Sequence, residues 1–253
     1  MPTSPVSCGY DYRAAIALNN YGVSLLARGA FDDAVETLKD AVTIMKFEYP
    51  CYNSHALRGH GITEMVLRAQ KRVAAATLND PSPSEIEIFD VVFSSVDISS
   101  LQHALPRGPG DSTFYPIRID LPFPDDFDDR DLDLESAVLL NNFGISHICI
   151  SRTHPDLMER EVMRSAALQI FSLTHSILVR ESQCLRFGIQ QTCLLLISAV
   201  SLMNIIAALS SEQTSDTSEA LETLSRLHKV LNGIHHSQPD LFFVRYGNAA
   251  GAA

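Results

Sequence analysis

Two pairs of neighbouring asparagines are the residues whose type and spacing could do chemistry. Asn19-Asn20 and Asn141-Asn142 each stand inside a long, proline-free, apolar stretch. Asparagine is a modest helix former, so a pair placed in mid-helix twice asks for a reason. A carboxamide donates and accepts at once. On one reading, one Asn of each pair bonds the neighbouring helix, since buried polar groups serve the fold first. On the other, the second Asn faces a concave groove and bonds a partner's backbone, with Val23 and Ile145 near by. Asn19, Asn20, Val23, Asn141, Asn142 and Ile145 are then the candidate partner-binding residues.

Other candidates for chemistry lack a necessary part. Asp129, Asp131 and Asp133 alternate as in a calcium loop. Such a loop needs Gly at its sixth place and Glu at its twelfth, and those places hold Leu134 and Leu140. The acidic run reads instead as a solvated lead into a helix N-terminus, where carboxylates are favoured. His147 and Cys149 are two residues apart and point differently on a helix, His154 lies beyond a turn, and His235-His236 sits near a helix end. Gly59–Gly61 and Gly108–Gly110 lack the context of a phosphate cradle, and no GxSxG elbow occurs. Cys184 and Cys193 lie in apolar helices, where a thiol is packing. The expectation is a protein without catalytic residues, metal or cofactor.

Composition sets bounds. The chain has 253 residues, 46% of them hydrophobic, enough for a substantial core. Thirty Asp and Glu outweigh nineteen Lys and Arg, for a net charge of -11. That balance disfavours nucleic acid and anionic membrane surfaces, which require a basic excess. Five scattered cysteines without a CxxC pair read as reduced thiols, hence a cytoplasmic or nuclear setting. The N-terminus lacks the basic start and apolar run of a signal peptide. Residues 187–211 carry no charge, close to a membrane span in length. Gln190, Gln191, Ser198, Ser201 and Asn204 dilute that run, so a helix buried inside a helical stack is preferred over a membrane anchor.

The elements that must position the asparagines follow from proline and periodicity. Seven of the twelve prolines lie between Pro81 and Pro124. The long proline-free zones on either side are where helices can run. In the first, Ala14, Ala17, Leu18, Tyr21 and Leu25 form one stripe. Phe31, Ala34, Val35, Leu38 and Val42 form a second after Gly29, with Pro50 as its stop. A third helix is expected at about 54–78, with Arg58, Arg68, Lys71 and Arg72 on its polar face. In the second zone, helices are expected from Leu134, after a cap at Thr153, through the uncharged segment, and over 214–232.

Between the zones, residues 85–98 and 113–121 read as two strands. The second puts Ile117 and Ile119 inward and Arg118 and Asp120 outward, and the pair is expected to form a small antiparallel hairpin. Eight acidic residues follow between Asp120 and Glu135.

The chain repeats itself. LNNYGVS at Leu18–Ser24 returns as LNNFGIS at Leu140–Ser146, identical in five of seven places. A repeated helical unit is the direct interpretation. The stretch ALNNYGVSLLARGAFDDAVETLKDAV (17–42) resembles a tetratricopeptide repeat, most closely the kinesin-light-chain variety. Gly22 and Ala34 stand where that family has small residues at the helix crossing, and Gly29 marks the turn. In the second copy Gly144 matches, but its partner Ala167 comes eleven residues late, with Phe171 behind it. The extra residues, about 152–162, are expected to lengthen the second helix at its start.

The resemblance implies an all-α stack of antiparallel helix pairs that binds proteins without chemistry of its own. One domain is expected, with helices at 10–80 and 134–236, a Pro-rich β insertion at 81–133 and a tail at 237–253. The partner is a protein or peptide, with a basic one favoured by the acidic segment, which alternatively folds back on the Arg58–Arg72 helix. Lys and Arg are missing around both Asn pairs, which disfavours chaperone C-terminal carboxylates as ligands. The alternatives are an enzyme or small-ligand sensor with a pocket between helices and hairpin, or a membrane-anchored repeat protein.

Overall fold

The computed structural model describes residues 6–48, 60–78, 91–93, 114–119, 132–184, 200–201, 204–205 and 222. These are predominantly helical, as expected of an all-α chain. The helices are α1 (Val6–Ala27), α2 (Phe31–Glu48), α3 (His60–Leu78), α4 (Leu132–Thr153) and α5 (Leu157–Cys184). Two short strands, β1 (Val91–Phe93) and β2 (Ile117–Ile119), lie between α3 and α4. The expected start of α3 at residue 54, most of the acidic segment, most of the uncharged run, the 214–232 helix and the tail lie outside the described residues.

The α1–α2 turn is fixed by Gly29, whose φ of 70° is the left-handed conformation glycine adopts without a Cβ penalty. The Ala30 amide reaches back to the Leu25 carbonyl at 3.0 Å and the Gly29 amide to Leu26 at 3.0 Å. This pair of bonds is the Schellman pattern that satisfies a helix's last carbonyls. Asp32 and Asp33 then occupy the positive end of α2.

At the crossing of α1 and α2, Gly22 faces Leu38. A Cβ on Gly22 would stand 2.5 Å from Leu38 Cγ, so only glycine permits this approach. The second pair repeats the device, since a Cβ on Gly144 would stand 2.6 Å from Phe171 Cε1. Ala34 and Ala167, four residues before these partners, are both fully buried.

Leu38 follows Gly22 by sixteen residues and Phe171 follows Gly144 by twenty-seven, which reproduces the eleven-residue offset. The offset is divided between both helices. Ala27 corresponds to Cys149, and α4 runs four residues further; Phe31 corresponds to Arg164, and α5 starts seven residues earlier. The expectation that only the second helix is longer is corrected accordingly.

The cap expected at Thr153 is also corrected. Thr153 belongs to the last turn of α4, where its hydroxyl bonds back to the Cys149 carbonyl at 3.2 Å. Asp156 caps α5 instead, its Oδ1 accepting from the Met158 amide at 2.8 Å. Both residues are competent caps, and the extra turn of α4 moves the boundary to the second.

The paired strands are parallel, with Val91, Val92 and Phe93 opposite Ile117, Arg118 and Ile119. The expected antiparallel hairpin is therefore wrong in direction. A parallel crossover needs roughly a dozen residues or more, and the stretch 94–116 is long enough to make one. The inward and outward assignment does hold, with Ile117 and Ile119 buried and Arg118 only partly so.

Packing is ordered around the two asparagine-bearing helices. α2 lies against α1 and α4, α3 lies against α1 and α2, and β2 is seated on α1 and α4. Both α1 and α4 are buried around most of their circumference, so each shows a broad apolar surface rather than a single stripe. One apolar cluster joins Tyr12, Ile16 and Leu18 to Leu134, Val138, Ile117 and Ile119. The other joins Leu25, Leu38, Ile145, Phe171 and Phe114. The segment 114–119 thus contributes to both halves of the core.

The Arg residues of α3 are engaged by α2, with Arg72 3.4 Å from Asp33 and Arg68 4.0 Å from Asp40. Among the described residues no helix is long and apolar enough to cross a membrane.

Candidate functional site

The asparagines of α1 and α4 converge on the extended segment Phe114–Ile119. The repeat places each pair at the same spacing before the crossing glycine of its helix, Gly22 or Gly144, and the packing of β2 on both helices brings the pairs together. Asn19, Asn141, Asn142 and Asn204 are 0% exposed.

The geometry is that of a strand edge built from side chains. Asn142 accepts from the Ile117 amide at 2.8 Å and donates to the Ile117 carbonyl at 2.7 Å. Asn20 accepts from the Ile119 amide at 3.0 Å and donates to its carbonyl at 2.6 Å. Asn204 accepts from the Tyr115 amide at 3.0 Å and donates to its carbonyl at 3.4 Å. Alternate residues of an extended chain present their N–H and C=O to the same edge. Three carboxamides, each with a donor and an acceptor, therefore do for residues 115, 117 and 119 what a neighbouring strand would do. Pro116, which has no N–H, falls on an even position, away from the amides.

The five asparagines also bond one another. Asn204 donates to Asn141 at 3.0 Å, Asn141 to Asn142 at 3.4 Å, Asn142 to Asn19 at 2.8 Å and Asn19 to Asn20 at 3.3 Å. Asn19 adds a bond to the Ile117 carbonyl at 3.1 Å. Both hydrogens of the Asn142 amide are used, one on Asn19 and one on Ile117. A buried polar network fully paired in this way holds one arrangement, because each unmade bond in a low-dielectric interior is costly.

Side chains of the segment are received on both sides. Arg118 donates to the Asn20 carbonyl at 3.0 Å and to Ser24 Oγ at 3.1 Å. Phe114 is fully buried, with the Arg152 guanidinium 4.7 Å from its ring centroid. Burial pulls Arg152 below the usual arginine range. Burial pushes the neighbouring Cys149 thiol up to about 12, so it stays protonated and inert. At the far end, the Tyr12 hydroxyl donates to Glu135.

All four asparagines singled out in the sequence lie in this network, and the backbone they bond belongs to the chain itself. The bond between Asn142 and Asn19 joins the two helices, and Asn20 and Asn142, which the groove reading assigns to a partner's backbone, bond the backbone of β2. Val23 and Ile145 are fully buried, Ile145 in the apolar cluster that also holds Phe114. They offer no surface to a second molecule.

Asn204 was missed as a site residue. It stands in the uncharged run, where it reads only as a polar interruption, and no LNN repeat marks it. The one available signal is that asparagine in so apolar a stretch of sequence must find partners if it is buried.

His147 lies outside the network. Its Nδ1 is 2.9 Å from the Phe143 carbonyl, and burial holds its pKa below the usual histidine value despite that bond.

The arrangement has no nucleophile or charge aimed at a common point. It is a neutral row of amides that hydrogen-bonds the chain's own extended backbone. No protein family, curated protein or solved structure was found to match this chain.

Proposed function

We propose that this chain is a non-enzymatic protein-interaction module, a stack of tetratricopeptide-like helix pairs that binds a protein segment in extended conformation along the asparagine row. The observation that carries the reading is the paired donor and acceptor contact of Asn20, Asn142 and Asn204 with alternate residues of an extended chain. Such contacts recognise backbone whatever the side chains, which is how strand addition confers affinity.

Support for a repeated helix-pair unit comes from the equivalent close approaches of Gly22 to Leu38 and Gly144 to Phe171. The net charge of -11 favours a protein partner over nucleic acid and a basic segment over an acidic one.

The test is a photo-crosslinking amino acid at position 24, beside Arg118. Crosslinks to one defined segment of a second protein are expected, reduced by Asn20→Asp. Crosslinks confined to the chain's own residues would contradict the reading.

A further inference from the structure

We infer that Phe114–Ile119 is a resident, exchangeable ligand of this groove, and that the partner is an extended segment of another protein that copies its pattern. This rests on the interaction-module reading above and specifies its ligand.

The argument begins with what holds the segment. Its contacts with Asn20, Asn142 and Asn204 are made through backbone N–H and C=O groups, which any non-proline residue supplies. A second chain in the same conformation would make the same bonds and offer its other edge to β1, as β2 does. The resident segment is separated from β1 by residues 94–113 and from α4 by residues 120–131, twenty and twelve positions of sequence. Against a tethered segment, whose effective concentration is on the millimolar scale for short flexible linkers and lower for longer ones, the partner must add contacts beyond those the resident segment makes.

The side chains define the partner. Positions equivalent to Ile117 and Ile119 must be aliphatic, because both are buried among Leu18, Ala137 and Val138. The position between them must be arginine or a residue that similarly donates to the Asn20 carbonyl and Ser24. An aromatic residue three places before the first aliphatic position would fill the site of Phe114 beneath Arg152. The partner motif is thus aromatic, apolar, apolar, aliphatic, arginine, aliphatic, since Tyr115 and Pro116 are buried as well, with no proline at the second, fourth or sixth place, whose amides the asparagines bond.

The test uses a labelled peptide of residues 112–121 and the full chain carrying Ile117→Asp and Ile119→Asp, which weakens the resident segment. The peptide is expected to bind this variant at least about tenfold more tightly than wild type, because the wild-type groove is open for only a minor fraction of the time. N-methylation of the peptide at both isoleucines removes the donors to Asn142 and Asn20 and is expected to abolish binding. Should the variant lose its helical circular dichroism, amide exchange in wild type decides. Excess peptide is expected to accelerate exchange within 114–119 while α3 is unchanged.

Absence of peptide binding to the folded variant, equal binding of the N-methylated peptide, or unchanged exchange would show the segment to be a fixed part of the fold. If crosslinks from position 24 to a second protein persist in that case, displacement is overturned and the chain is an interaction module that binds its partner beside the seated segment. If both fail, both fall.

Discussion

Asn142 holds Ile117 by both ends of its peptide unit, accepting from its amide at 2.8 Å and donating to its carbonyl at 2.7 Å. The same amide reaches Asn19 on the other helix at 2.8 Å. One side chain therefore joins α1, α4 and β2, and its loss should be felt in all three.

Asn142→Ala leaves the Ile117 amide and the Asn19 carboxamide oxygen without this partner in a buried setting. The expected cost is about 2–6 kcal/mol, at about 1–3 kcal/mol for each of the two orphaned groups. Asn142→Asp should cost more, because it sets an acceptor-only charge against the Ile117 carbonyl. Urea unfolding followed by circular dichroism measures both. A loss under about 0.5 kcal/mol, the range of an ordinary surface change, would contradict the placement.

The glycine contacts lead to a double-mutant cycle. Gly22→Ala should destabilise by about 1–3 kcal/mol, as overpacking does, since the new Cβ would stand 2.5 Å from Leu38 Cγ. In a Leu38→Ala background the same change should cost much less, because the obstructing atoms are gone. Gly144→Ala and Phe171→Ala should behave alike. Additive effects in either pair would argue against the close approach.

Acid should weaken the fold through two histidines. His147 and His175 are held below the ordinary value of 6.5 by burial, with the Phe143 carbonyl opposing the shift at His147. The folded state therefore prefers neutral imidazole. Their stabilising contribution is complete above pH 6.5 and is lost as pH falls toward the lowered folded values. The urea midpoint should drop on going from about pH 7 to about pH 5, and a His147→Gln, His175→Gln variant should show a shallower drop. An equal slope in both proteins would contradict this.

Cys149 should resist modification in the native state. Its thiol is buried and pushed up to about 12, so almost no thiolate exists at neutral pH. Peptide-resolved alkylation should label it only on unfolding. Rapid native labelling would mean that the contact of Arg152 with Phe114 above it is not closed.

Much of this was legible in the sequence, for local reasons. Gly29, the proline-free zones and the repeated LNN motif concern one helix or one turn, where the physics is short-range. The isoleucine alternation of β2 was readable because its period is two. Strand direction was not, because nothing local distinguishes a strand that runs with its partner from one that runs against it. The boundary between α4 and α5 was misread because Thr153 and Asp156 are both good caps.

The asparagines themselves show where local reading ends. Their mid-helix placement announced a buried polar role, but the sequence did not reveal which backbone they bond. That backbone lies almost one hundred residues from Asn20, as the separation of 99 to Ile119 records. Asn204 was harder still, since its spacing to Tyr115 and Asn141 emerges only once the chain is folded.

The most direct measurement is amide hydrogen exchange over Tyr115, Ile117 and Ile119, in wild type and in Asn142→Asp. Slow exchange at all three is expected in wild type, with selective acceleration there in the variant while α2 stays protected. Fast exchange at these amides in wild type would contradict an extended segment held by the asparagine row.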